Sequence, residues 1–162
     1  MPATAPVSVQ AGANVVLVTR RVPAPLRRFG VAGLLLGVPA LGVITLWPTH
    51  FLLRIKPRVV QGIEWLQARD MVEWLYWTRL EVLANVAMFL PLALLLILAL
   101  GGRRWWIAVG LCVTLSLSVE LTQYFMPGRV AAVQDVIANS VGALIGTLLG
   151  VVVEGVARRG RR

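Results

Sequence analysis

The chain has 162 residues, enough for one domain; 58% of them are hydrophobic and the mean hydropathy is +0.79. Only 14% are charged, against roughly 25% in a soluble domain, which excludes a water-soluble globule and leaves a membrane protein. The net charge of +9 does not argue for nucleic acid, because the arginines cluster at the ends of apolar segments and no Gly-rich phosphate loop or nucleic-acid motif is present.

Residues 1–28 are rich in Ala, Pro and Val and end on Arg20, Arg21, Arg27 and Arg28. They read as a mobile cytoplasmic tail. A cleaved signal peptide fits less well, because no small-x-small site with a polar start follows the short apolar patch Val15 to Val18. Residues 29–50 hold the first transmembrane helix, its apolar run going from Gly30 to Trp47. Pro39 is expected to kink it. Gly33 and Gly37 form a small-xxx-small face, and Trp47 sits where an interfacial aromatic belongs. His50, the only histidine, reads as a solvated interfacial group or, more sharply, as a proton carrier.

Residues 51–79 carry too many charges to span and also hold Trp65, Trp74, Tyr76 and Trp77. This mixture predicts an interfacial extracytoplasmic segment. Pro57 would separate an entry strip from an amphipathic helix over Val59 to Arg79, lying in the headgroup plane.

Residues 80–154 supply three more spans: Leu80 to Leu100, Trp105 to Phe125 and Val133 to Val153. A basic turn at Gly101 to Arg104 joins the first two, and a turn containing Pro127, Gly128 and Arg129 joins the last two. Pro91 falls mid-helix and should bend it and free a carbonyl. Gly142, Gly146 and Gly150 recur every four residues, which predicts a helix-packing face. Residues 155–162 are a basic tail with Arg158, Arg159, Arg161 and Arg162. The expected architecture is therefore all-α: a polytopic bundle of four transmembrane helices plus an interfacial amphipathic helix on the outer side. With both termini cytoplasmic, the basic clusters at 20–28, 103–104 and 158–162 all face inward, as Lys/Arg placement demands.

Within these apolar runs a few polar groups stand out. Glu81 and Asn85 open the second span four residues apart. Ser116, Glu120 and Gln123 share a face in the last turns of the third. Asp135 and Asn139 occupy the first turns of the fourth, and Arg129 lies between. At 1.5 Å per residue, all lie within about two turns of the outer surface. A central carboxylate costs about 2.5–3.5 kcal/mol on insertion scales, so groups facing each other are favoured over groups facing lipid. Arg129 could pair bidentately with one acid. Three acids against one Arg leave negative charge that a held proton or a divalent cation could balance, and no other cofactor is expected. No Cys/His metal spacing exists, and Cys112 reads as a packing residue. Asn85 and Asn139 taken alone could act only as interhelical glue.

The spacing Glu81-x-x-x-Asn85 followed by Phe89-x-Pro91 resembles the VanZ-like family. So do Glu120-x-x-Gln123, Pro127-Gly128-Arg129 and Asp135-x-x-x-Asn139-x-x-Gly142 with Gly146. The resemblance covers roughly Leu80 to Gly150, departs at Ala93 and over Val130 to Gln134, and finds no counterpart in residues 1–79. It implies a multi-pass protein of the bacterial plasma membrane, in a family named for a member associated with resistance to the glycopeptide teicoplanin.

The function this predicts is binding or remodelling of an envelope lipid or lipid-linked glycan at a site open to the outer leaflet, lowering glycopeptide susceptibility. Glu81, Glu120 and Asp135 would be its acidic groups, and Asn85, Gln123, Arg129 and Asn139 would orient them or bind the ligand. Membrane lipids and a lipid-linked cell-wall precursor are the expected partners; the sequence sets no oligomeric state. Two alternatives stand beside it. One is a membrane enzyme using those carboxyls as acid and base, or with a metal, on a lipid-linked substrate. The other is a structural, partner-binding bundle without a ligand site.

Overall fold

The computed structural model describes residues 22–46, 49–127 and 132–160, with the backbone alone for 49–52. Most of the expected N-terminal tail, Trp47, the side chain of His50, Arg129 and the last two arginines lie outside the described residues. The chain is all-α. Its elements are α1 (Ala24–Thr45), α2 (Thr49–Gln67), α3 (Trp77–Leu100), a 3-10 turn (Gly102–Arg104), α4 (Trp105–Tyr124) and α5 (Val133–Arg159). The helices α1, α3, α4 (with its 3-10 turn) and α5 are long and apolar enough to cross a membrane, and their outward faces carry bare apolar side chains such as Leu36, Leu121 and Leu148. This is a multi-pass membrane protein.

Helix α3 is the centre of the bundle, packed against α1 on one side and α5 on the other. Both α3 and α5 start at the same end and run parallel, in register four residues at a time. A Cβ on Gly142 would lie 2.3 Å from the Val86 carbonyl oxygen, and one on Gly146 would lie 2.0 Å from that of Leu90. Any side chain there would push the two backbones apart, so glycine sets their separation. Gly150 continues the contact against Ile97. The core that results joins Phe89, Leu92 and Ala93 of α3 to Cys112 of α4, Ala143 of α5 and Leu41 of α1.

Several boundaries differ from the expectation. Helix α1 already begins at Ala24, inside the stretch read as tail; Pro25 sits in its first turn, where a missing N–H is harmless. Its contact with α3 runs through Gly30, against the Leu95 carbonyl and the Ala99 N–H, and Gly33, against the Leu95 side chain. Gly37 faces open space instead, because the close approach lies nearer the start of α1. Pro57 does not divide the segment after α1; α2 runs through it. That helix stops at Gln67 rather than reaching Arg79. Asp70 turns the chain with φ 58°, a left-handed conformation its short polar side chain tolerates, and the Met71 N–H closes back on the Leu66 carbonyl. Helix α3 then starts at Trp77. Helix α5 continues to Arg159, beyond the expected limit at 154, with Arg158 and Arg159 in the last turn where cations suit the helix dipole.

Helix α2 makes only sparse contact with the bundle. Its neighbourhood pairs cations with rings: Arg69 stacks 3.4 Å from the Trp65 ring centre, and Lys56 lies 4.8 Å from that of Trp77.

Candidate functional site

The antiparallel course of α3, α4 and α5 brings the start of α3, the end of α4 and the start of α5 to one end of the bundle, where α1 also finishes. The polar residues singled out from the sequence are at this end, and they fall into two linked groups.

The first lies between α3 and α5. Glu81 and Asn85, four apart on α3, lie near Asp135 in the first turn of α5: the Asn85 side chain is in reach of Asp135, and the Glu81 charge acts on it. The Trp77 indole N–H donates to Glu81 Oε1, one turn back along the same helix. Glu81 is exposed, whereas Asn85 and Asp135 are half-buried. The glycine contact, which begins at Val86 on α3 and Gly142 on α5, holds the two helices close enough to keep the first turn of α5 beside the start of α3.

The second group lies between α4 and α5 and is buried. Asn139 Nδ2 donates to Ser116 Oγ at 2.8 Å, with the two residues 3% and 0% exposed. The remaining amide oxygen, Asn139 Oδ1, is buried and has no hydrogen-bond partner among the described residues. One turn along α4, Glu120 Oε2 accepts the Ala132 N–H at 2.9 Å. Ala132 is the residue on which α5 begins, so a carboxylate of α4 satisfies one of the free N–H groups at the head of α5. Gln123 Nε2 donates to the Thr45 carbonyl at 2.8 Å, which ties the end of α4 to the last residue of α1.

The structure therefore places Glu81, Asn85 and Asp135 together, and Asn139 with Ser116. It places Glu120 and Gln123 beside them as ties to α5 and α1. Arg129 lies outside the described residues. Among the described residues no three of His, Cys, Asp and Glu are grouped as a metal ion would require, so the three acids do not form one metal-ligand set. What the arrangement offers is a line of acceptors and amides running from an exposed carboxylate at the helix ends to a buried amide oxygen between α4 and α5.

Two buried polar residues escaped the sequence reading. Thr147, on α5, is buried, and its hydroxyl has no hydrogen-bond partner among the described residues. Glu154, on α5 at the opposite end, is 4% exposed. It accepts the Gly102 N–H at 2.6 Å through Oε2 and pairs with Arg158 through Oε1. The signal was present as an acid in an apolar helix with an arginine four residues later, a spacing that places both on one face. Gly101 precedes this contact with φ 92°, a backbone conformation that favours glycine. A cavity of about 1190 Å³ opens at the same end, bordered by Arg27, Arg28, Arg103, Arg104 and Arg158.

Among known families, residues 20–154 match the family model described as VanZ/LLP1. The match reaches well upstream of Leu80, into α1 and α2, where the sequence reading found no counterpart. No curated protein and no solved structure matches the chain.

Proposed function

The chain belongs to the VanZ/LLP1 family, and from that premise we propose that it is a bacterial plasma-membrane protein whose acid-and-amide end opens to the outer leaflet and binds an envelope lipid or lipid-linked glycan. The orientation rests on the arginines. Arg27, Arg28, Arg103, Arg104, Arg158 and Arg159 all lie at the end away from Glu81 and Asp135, and such clusters stay on the cytoplasmic side. Both termini are then cytoplasmic.

The observation that carries the reading is Asn139 Oδ1. Polar residues that serve only as glue between helices satisfy one another, and a buried acceptor left unmatched costs about 1–3 kcal/mol. Here, among the described residues, an amide oxygen stays unmatched one turn beneath a half-buried carboxylate. A glycan or peptide head group, dense in O–H and N–H donors, would pair with the carboxylate and, where α4 and α5 part at this end, with the amide oxygen beneath it. Such binding to the lipid-anchored target of a glycopeptide would lower susceptibility to the drug, in line with the family's association with glycopeptide resistance.

The test is binding of a fluorescent lipid-linked disaccharide precursor to the full chain in nanodiscs. The wild type should retain it, and Asp135→Asn or Asn139→Ala should each weaken binding about tenfold, the roughly 1.4 kcal/mol of one hydrogen bond to a charged or buried partner. No binding, or equal binding by all three proteins, rejects the proposal.

The electrostatic influence of Glu81 on Asp135 favours a second reading, in which the two carboxyls act as acid and base on a lipid-linked bond. Turnover of the same precursor, lost in Asp135→Asn while binding persists, would select it.

A further inference from the structure

The cavity at the arginine end goes beyond the site just described. Four stretches of chain converge on it: the start of α1, the end of α3, the basic turn and the end of α5. Among the described residues five guanidiniums border it, and no carboxylate does. The nearest acid, Glu154, is buried behind the basic turn and is engaged by Arg158 and the Gly102 N–H. The other wall is apolar. Val31, Ala32 and Leu35 line it along the outward face of α1, and Leu35 is 70% exposed. From Arg27 to Leu35 is about 12 Å along the helix. One cavity therefore meets a positive rim at headgroup depth and an open hydrocarbon wall beneath it.

Orienting a chain in a membrane requires only that arginines be numerous on one side. It does not require them to converge on a common space. The turn that presents Arg103 and Arg104 is held in place: Gly101 supplies φ 92°, the Arg104 N–H bonds the Gly101 carbonyl at 3.0 Å, and Glu154 fixes the Gly102 N–H. Arg159, of equal charge, stays outside the cavity.

We propose that this cavity seats the phosphate of an anionic phospholipid of the cytoplasmic leaflet, with an acyl chain lying along α1 beside Val31 and Leu35. Guanidinium matches phosphate oxygens bidentately, and basic pockets between spanning helices on the cytoplasmic side bind phosphate-bearing lipid heads.

The experiment is native mass spectrometry of the full chain with phosphatidylglycerol, with phosphatidylcholine of identical chains, and with inorganic phosphate as competitor. Phosphatidylglycerol should be retained about tenfold better than phosphatidylcholine. The pairs Arg103→Gln/Arg104→Gln and Arg27→Gln/Arg28→Gln should each lower that retention about tenfold, and Arg159→Gln should leave it unchanged. Ala32→Trp, which fills the cavity without touching a charge, should lower it too, so the proposal stays open to refutation even if an arginine pair fails to fold. Equal retention of the two lipids overturns the proposal. So does a loss in Arg159→Gln matching that of the pairs, which would mean diffuse surface charge. Full displacement by millimolar inorganic phosphate also overturns it, since the site would then serve a soluble anion.

Discussion

The carboxylate of Glu120 on α4 accepts the backbone N–H of Ala132, the residue from which α5 springs. A side chain of one spanning helix thus does for the next what the acid of a capping box does for its own, accepting the N–H of the N-cap residue. No cap from its own side chains is present there. Loss of an N-cap acceptor costs about 1–2 kcal/mol. Glu120→Ala should lower stability by about that amount, measured by thermal unfolding followed by circular dichroism in detergent. Glu120→Gln keeps an acceptor oxygen and should lose less. Equal losses in the two variants would mean that the contact is incidental.

Gly146 and Gly37 make a matched pair for testing the helix contact. A methyl group at Gly146 would land 2.0 Å from the Leu90 carbonyl oxygen, whereas at Gly37 nothing lies within 4 Å. Gly146→Ala should therefore destabilise by about 1–3 kcal/mol through overpacking. Gly37→Ala should be neutral or stabilising by up to about 1 kcal/mol, through better helix propensity. Melting temperatures in one detergent decide it; a tolerated Gly146→Ala would show that α3 and α5 can part without loss.

Glu154 is buried, pairs with the partly exposed Arg158 and also holds the Gly102 N–H. Glu154→Ala strips that N–H of its acceptor and should cost about 1–3 kcal/mol. Arg158→Ala strands the buried carboxylate and should cost about 3 kcal/mol, and replacing both by Leu should cost less than the sum of the two single losses. A double-mutant cycle by chemical unfolding measures the coupling. Additive losses would show that the two residues act independently.

Cys112 is the only cysteine and is 1% exposed. It should resist maleimide in the folded protein and provide a silent background for mapping sidedness. In intact cells, Met71→Cys, in the exposed stretch between α2 and α3, should react with an impermeant maleimide. Arg159→Cys should react only after the membrane is opened. The reverse pattern would turn the whole bundle over.

Periodicity made the faces of individual helices legible. The four-residue steps from Glu81 to Asn85 and from Asp135 to Asn139, and the glycine ladder of α5, each mark one side of a helix, and the all-helical class follows from composition. Spacing along one helix says nothing about which neighbour receives a side chain. Gln123 donates to a backbone carbonyl, that of Thr45, and a carbonyl has no signature in the sequence. Likewise, which glycines of α1 meet α3 depends on where the two axes come closest, so Gly30 could not be ranked above Gly37 in advance. Pro57 misled for a different reason: a missing N–H weakens a helix but does not by itself end one, and α2 continues until Asp70 reverses the chain. Glu154 was hidden by its position at the rim of an apolar run, where an acid beside arginines looks like ordinary surface.

The principal neighbour of α3 is α5, and its contact with α4 is slight. During synthesis, then, the second long apolar segment to leave the ribosome must wait for the last one before its glycine-matched side is covered. Until α5 arrives, Asn85 has no Asp135 beside it and Val86 and Leu90 have no close backbone against them. A nascent chain stalled after α4 would be an unfinished product that lipid, the translocon or a membrane chaperone must shelter, and its lifetime would depend on how soon those final residues emerge.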